Sequence, residues 1–198
     1  MKIKTTILIT MLITLIILAS CANNAQTKEQ GEEEMNPIVT MQTNMGTIKI
    51  ELYPKKAPKT VENFLSYANE GFYEGTIFHR VINNFMVQGG GFLPNGQQKD
   101  TKSPIILESD NGLKNEEGTI AMARTMEPNS ATSQFFINVA NNEFLNHGAR
   151  DDGYAVFGKV IEGMETVNKI KGVQTTSNGP YQDWPAEPVI IEKVTVEE

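Results

Sequence analysis

The sequence predicts a mainly β domain, an antiparallel sandwich or barrel with two helices, preceded by an export segment. Three observations carry this. From Pro37 onward, short runs of alternating or β-branched residues recur and are separated by glycine-containing turns. Only two stretches show the apolar spacing of an amphipathic helix. The first twenty residues differ in texture from everything that follows. Many short strands with few helices pack as two sheets or as one sheet curled on itself.

Taken in order, residues 1–20 read as a signal peptide. Lys2 and Lys4 are the only charges before Cys21, and an apolar run from Ile7 to Ala19 follows them. That run is short of the roughly 20 apolar residues a spanning helix needs. Leu18-Ala19-Ser20-Cys21 resembles the lipobox of bacterial lipoproteins, in which the cysteine is lipidated and becomes the new N-terminus. An ordinary cleaved signal or a short uncleaved anchor are the plainer alternatives. Residues 21–36, with Glu32-Glu33-Glu34, are polar, acidic and aperiodic, and read as the lipidated cysteine and a flexible tether. Residues 37–198 form the domain.

Within it, 38–43 and 47–52 read as strands joined by the hairpin-length Asn44-Met45-Gly46. A helix opens at Pro58, carries Val61, Phe64, Leu65 and Ala68 on one stripe, and ends at Gly71. Further strands are expected over 76–82, 85–88, 105–107, 119–123, 134–139 and 154–160. A second helix spans 164–171, and a closing strand spans 188–196 with a phase change near Glu192.

Composition narrows the function classes. A single cysteine among 198 residues excludes an internal disulfide, a CxxC redox pair and a cysteine-based zinc site. Two histidines, His79 and His147, are too few for a histidine-rich metal site. The net charge of -7 argues against bulk binding to nucleic acid. Gly89-Gly90-Gly91 lacks the Lys-Ser/Thr of a phosphate loop. Ser130 and Ser133 lack the partners and the elbow of a serine hydrolase.

Four segments then point one way. Phe78-His79-Arg80-Val81-Ile82-Asn83-Asn84-Phe85-Met86-Val87-Gln88-Gly89-Gly90 resembles the signature segment of the cyclophilins. Gly118 to Arg124, followed by Ser133-Gln134-Phe135-Phe136-Ile137-Asn138, is similar to that family's second wall segment. Tyr154 to Val160 resembles its downstream strand, and the helix opening Ala57 to Phe64 matches as well. The blocks occur in family order across 38–196, and the shorter bacterial members are the nearest in pattern. The resemblance implies a closed eight-stranded antiparallel β-barrel capped by two helices, and peptidyl-prolyl cis-trans isomerase activity without cofactor or metal.

That reaction rotates an X-Pro amide against a barrier of about 18–20 kcal/mol, because resonance is lost as the bond twists. The twisted prolyl nitrogen regains a lone pair, so a donor aimed at it favours the transition state over the planar ground state. Arg80 matches the family's catalytic arginine, and its guanidinium is always charged. Read alone, Arg80 is equally a surface arginine in a salt bridge. By the same resemblance Phe85, Met86, Phe136 and Leu145 form the proline socket, although such residues also suit any barrel interior. Gln88, Ala123, Arg124 and Gln134 match the wall that holds substrate backbone. Either glutamine also reads as a satisfied rim amide. Phe144 stands where many eukaryotic members carry tryptophan, which implies weak cyclosporin binding. Tyr154 replaces the family's groove histidine. His79 reads as a structural, hydrogen-bonded histidine, since the chemistry needs no acid or base.

The expected partners are X-Pro segments of unfolded or partly folded exported proteins, and the membrane through lipid on Cys21. The chain is expected to act as a monomer, outside the cytoplasm, anchored to a bacterial membrane. The competing reading is a proline-peptide binding module or holdase chaperone with little turnover. It would use the same groove but has no need of a donor at Arg80.

Overall fold

The computed structural model describes residues 35–197. The signal segment, Cys21 and all but the end of the tether lie outside them. β1 (Ile38–Thr43) and β2 (Gly46–Leu52) form the expected hairpin, with Met41 opposite Ile48. Their alternation buries Val39, Met41, Ile48, Ile50 and Leu52.

α1 (Pro58–Asn69) buries Val61, Phe64 and Ala68 of its stripe, while Leu65 is half-buried against the same core. Ala57 supplies no side-chain cap to this helix. Glu108, from a distant loop, does so instead. One carboxylate oxygen accepts the Lys59 N–H at 3.1 Å, and the other accepts the Thr60 N–H at 2.8 Å and the Thr60 hydroxyl at 2.7 Å. Negative charge is favoured at that end of a helix.

The remaining elements are β3 (Ile77–Ile82), β4 (Met86–Phe92), β5 (Thr119–Met122), β6 (Phe135–Asn138), β7 (Val156–Glu162), α2 (Met164–Lys171), β8 (Thr175–Asn178), β9 (Tyr181–Pro185) and β10 (Ile191–Glu197). The expected strand over 105–107 is reduced to one bridge, Ile105 to Ala131, because Ile106 beyond it is exposed and unpaired. The phase change near Glu192 is a bulge: Thr43 and Gln42 of β1 face Ile191 and Lys193, leaving Glu192 as the extra residue.

Eight strands join in the order β10-β1-β2-β7-β5-β6-β4-β3, every pairing antiparallel. The sheet curls into a half-barrel, which corrects the expectation of full closure. Between the edge strands there is a short seam: an Ile77–Ile190 bridge, with the Phe78 N–H donating to Val189 and the Ile191 N–H to Thr76. Pro185 and Pro188 border this seam, and neither has an N–H to extend it into a ladder.

The barrel interior holds an aromatic stack in which Phe64 lies 5.6 Å from Phe135 and 5.2 Å from Phe157, and Tyr73 lies 5.5 Å from Phe135. A separate cluster of Met86, Ala121, Phe136, Leu145 and Val156 covers the outer face of the same sheet. Strand alternation accounts for the division. Val87, Ile120, Phe135 and Ile137 point inward, while their neighbours Met86, Ala121 and Phe136 point outward.

Candidate active site

A bulge in β3 sets up the site. Phe78 pairs with Gly89 and Arg80 with Gln88, so His79 is the extra residue between them. Phe78 and Val81 both remain in the interior core. The bulge therefore turns two successive side chains, His79 and Arg80, toward the outer face. There they border a groove of about 560 Å³.

The sequence singled out eleven groove residues, and ten line this groove together: Arg80, Phe85, Met86, Gln88, Ala123, Arg124, Gln134, Phe136, Leu145 and Tyr154. Phe144 stands outside the lining. It is 47% exposed and stacks on Phe85 at 5.6 Å. Met86, Phe136 and Leu145 are not part of the barrel core. They belong to the outer cluster, with Phe85 half-buried against it, and form an apolar floor open to the groove.

Arg80 is half-buried, with its guanidinium carbon 6.0 Å from the Phe85 ring centroid. Its guanidinium forms no hydrogen bond or ion pair with any described residue. The two glutamines are tied to each other: Nε2 of Gln88 donates to Oε1 of Gln134 at 2.9 Å. Gly91 makes room for this, since a Cβ there would sit 2.6 Å from Gln134 Cγ. At Gly90, with φ of +80°, a Cβ would strike Phe135 and Tyr73 at 2.8 and 2.9 Å. The glycine run thus serves aromatic packing and the site wall.

Arg124 lines the groove, and its side chain is buried, with 4% exposure. Nε donates to the Gly153 carbonyl at 2.8 Å, and the guanidinium pairs with Asp151 at 2.9 Å.

His79 has the structural place expected, with the Ile77 backbone and the Gln134 side chain as hydrogen-bonding neighbours. It is buried, 4.6 Å from the Phe92 ring, and its Nδ1 has no partner among the described residues. Burial drives its pKa down to about 4, against the hydrogen bonds to the Ile77 backbone and Gln134 that raise it, and the charge of Arg80 adds to the lowering. A neutral His79 beside Arg80 is a packing group.

Sequence reasoning missed one whole wall. β8 and β9 form a two-stranded hairpin whose residues Pro180, Tyr181, Gln182 and Asp183 line the groove, joined by Phe92 and Gln98. The Asn178-Gly179 dipeptide was the available signal, because Asn-Gly marks tight hairpins. The flanking Thr175 to Asp183 is too polar to show strand alternation.

Among the described residues, no serine, threonine, cysteine or lysine lines this groove. The arrangement offers an apolar socket, a cationic donor and amide groups. It can hold a peptide and stabilise a change of conformation.

The comparisons agree with this geometry. The family model described as cyclophilin type peptidyl-prolyl cis-trans isomerase/CLD matches residues 38–196. Peptidyl-prolyl cis-trans isomerase A of Dickeya dadantii (strain 3937) is 58% identical over 158 residues, which cover 80% of this chain and 83% of that protein. Peptidyl-prolyl cis-trans isomerase B of Escherichia coli (strain K12) is 58% identical over 164 residues, covering 81% of this chain and 100% of that one. Among solved structures, a Cryptosporidium parvum cyclophilin type isomerase, crystallised in the presence of the dipeptide Ala-Pro, superposes with a TM-score of 0.68 at 30% identity, covering 81% of this chain and 99% of that one. With the signature motifs, the curled eight-stranded sheet and the outer-face groove in place, the chain belongs to the cyclophilin-type peptidyl-prolyl cis-trans isomerases.

Proposed function

We propose that this isomerase accelerates folding of X-Pro-containing proteins outside the cytoplasm, tethered to a bacterial membrane by lipid on Cys21, and that Arg80 supplies the catalytic hydrogen bond. The observation that carries the mechanism is the guanidinium of Arg80, which borders the apolar floor with no protein partner among the described residues. A planar amide offers that donor little, because its nitrogen lone pair is delocalised. As the amide twists, the lone pair localises and the interaction strengthens, so the barrier falls.

The proline ring sits on Phe85, Met86, Phe136 and Leu145. Rigid rings lose little entropy on an aromatic and methionine surface. Gln88 and Gln134, each held by the other, present their remaining amide groups to the substrate backbone, alongside the main chain of Ala123 and Arg124. The acyl side of the bond turns while the ring stays seated. The Ala-Pro dipeptide used with the Cryptosporidium parvum relative supports a proline ligand for this groove.

Residues 37–198 should speed cis-trans exchange of an X-Pro peptide, and Arg80→Ala should lower kcat/KM by roughly 10²–10³, the usual cost of deleting one transition-state donor. Equal activity in the two proteins overturns the role of Arg80. Export is supported by the N-terminal pattern of Lys2, Lys4, the apolar run and Leu18-Ala19-Ser20-Cys21. Cys21→Ser should leave the chain unprocessed or free it from the membrane. Unchanged processing and attachment overturn the lipid anchor.

A further inference from the structure

We propose that Asp183 recruits a cationic side chain of the client, lysine or arginine, lying within a few residues of the isomerised proline. The inference rests on the groove being the client site and concerns which clients it prefers.

The groove runs between two separate apolar clusters. One is the floor of Met86, Phe136 and Leu145, and the other is Ile77, Phe92 and Trp184. The β8–β9 hairpin builds the wall at the second cluster and is firmly anchored there. Trp184 is 5% exposed and packs 5.7 Å from Phe92, while Tyr181 packs 5.0 Å from Phe92 and 5.9 Å from Trp184.

Thr176 and Asn178 of β8 pair with Trp184 and Tyr181 of β9, so two steps on one strand face three on the other. This bulge leaves Gln182 and Asp183 out of the Cα pairing, and both line the groove. Asp183 adopts φ of 58°, a left-handed conformation that glycine takes without cost. A carboxylate is presented there instead.

That carboxylate has no bonded partner among the described residues. Among the described residues lining the groove, Asp183 is the only acid, and it forms no hydrogen bond or ion pair with any of them. Neither lining arginine is bonded to it: Arg80 has no side-chain partner among the described residues, and Arg124 is matched to Asp151 at 2.9 Å. Asp183 is half-buried, where an ion pair is screened less than at an open surface. Tyr181, 40% exposed, lines the same groove and adds an aromatic ring to this wall.

The test uses a neutral X-Pro peptide and derivatives carrying lysine or glutamate at each of the three positions on either side of the proline. kcat/KM is measured for the wild-type domain, Asp183→Asn and Asp183→Lys at low and high salt. Asparagine tolerates the left-handed conformation, so the first variant should fold. The wild type should favour lysine over glutamate about tenfold at one position at low salt, and less at high salt. Asp183→Asn should bring the ratio near one and Asp183→Lys should invert it. Because the ratio is taken within each variant, a uniform loss of activity does not affect it. Trp184, the sole tryptophan, follows Asp183 in sequence, so its fluorescence gives the same preference as a ratio of Kd values without turnover. A lysine-to-glutamate ratio unchanged by both substitutions overturns the inference while leaving the isomerase reading intact. Full activity in Arg80→Ala overturns the arginine mechanism and leaves the charge preference standing.

Discussion

Arg124 and Tyr154, both in the groove wall, are partners: the Arg124 guanidinium carbon lies 4.7 Å from the Tyr154 ring centroid. Tyr154 in turn meets Phe136 edge-on at 5.6 Å, so the contact reaches the apolar floor. Arg124 also bonds the Gly153 carbonyl and Asp151, and Asp151 accepts the Gly153 N–H at 2.8 Å. One side chain thus fixes the loop that leads into Tyr154. Arg124→Ala should cost about 1–3 kcal/mol in urea denaturation, because it strands partners of a buried charged group. A double-mutant cycle with Tyr154→Ala should show a coupling of about 0.5–1 kcal/mol. Additive effects would mean the two residues act independently.

His79 links stability to pH with a definite sign. Its folded pKa of about 4 lies below the ordinary value of 6.5, so the unfolded chain takes up the proton first as pH falls. The contribution is fully present above about pH 6.5 and is lost progressively down to about pH 4, by roughly 3 kcal/mol. His79→Gln should remove that component, which is read as a smaller drop in urea midpoint between pH 7 and 4.5 than in the wild type. A drop of the same size in both proteins would assign the acid sensitivity to other groups. Since His79 is neutral above about pH 6 and the proposed chemistry moves no proton, kcat/KM for a neutral peptide should be flat from roughly pH 6 to 9.

Gly91→Ala tests the amide brace. The added methyl would lie 2.6 Å from Gln134 Cγ and 2.8 Å from its Cδ and Nε2. The Gln134 side chain must then swing away and release Gln88. Overpacking of this kind costs about 1–3 kcal/mol. The informative readout is KM, which should rise more than kcat falls, because a backbone-holding group is displaced while Arg80 is untouched. An unchanged KM would remove the glutamine pair from substrate binding.

Glu108→Gln should lower stability by about 1 kcal/mol, and Glu108→Ala by up to about 2 kcal/mol, in thermal or urea unfolding. The carboxylate caps α1 from a position 48 residues beyond Thr60. Both variants should keep wild-type kcat/KM, since Glu108 does not line the groove. A loss of activity at full stability would give Glu108 a role beyond the cap.

These residues also mark how far the sequence can be read. Periodic elements were legible: the stripe of α1, the bounds of α2 and the phase slip at Glu192 all follow from side-chain spacing. The floor residues were legible only through the motif. Apolar spacing does not distinguish Phe135, inside the barrel, from Phe136, outside it, until the sheet direction is known. The Glu108 cap, the Arg124–Tyr154 contact and the partnerless Nδ1 of His79 are tertiary, and no local pattern announces them. The β8–β9 hairpin escaped for the opposite reason. Its stability comes from Trp184 and Tyr181 on Phe92, while its strands carry polar residues that alternation cannot sort.

The separation of the interior aromatic stack from the outer cluster gives the sheet two faces with independent duties. Substituting Phe136 or Leu145 reshapes the surface a client meets without opening a void around Phe64 and Phe135. Substituting Phe135 does the reverse. Adjacent positions on one strand therefore answer to different selective pressures, and the groove can be re-lined for new peptides while the scaffold that folds it stays fixed.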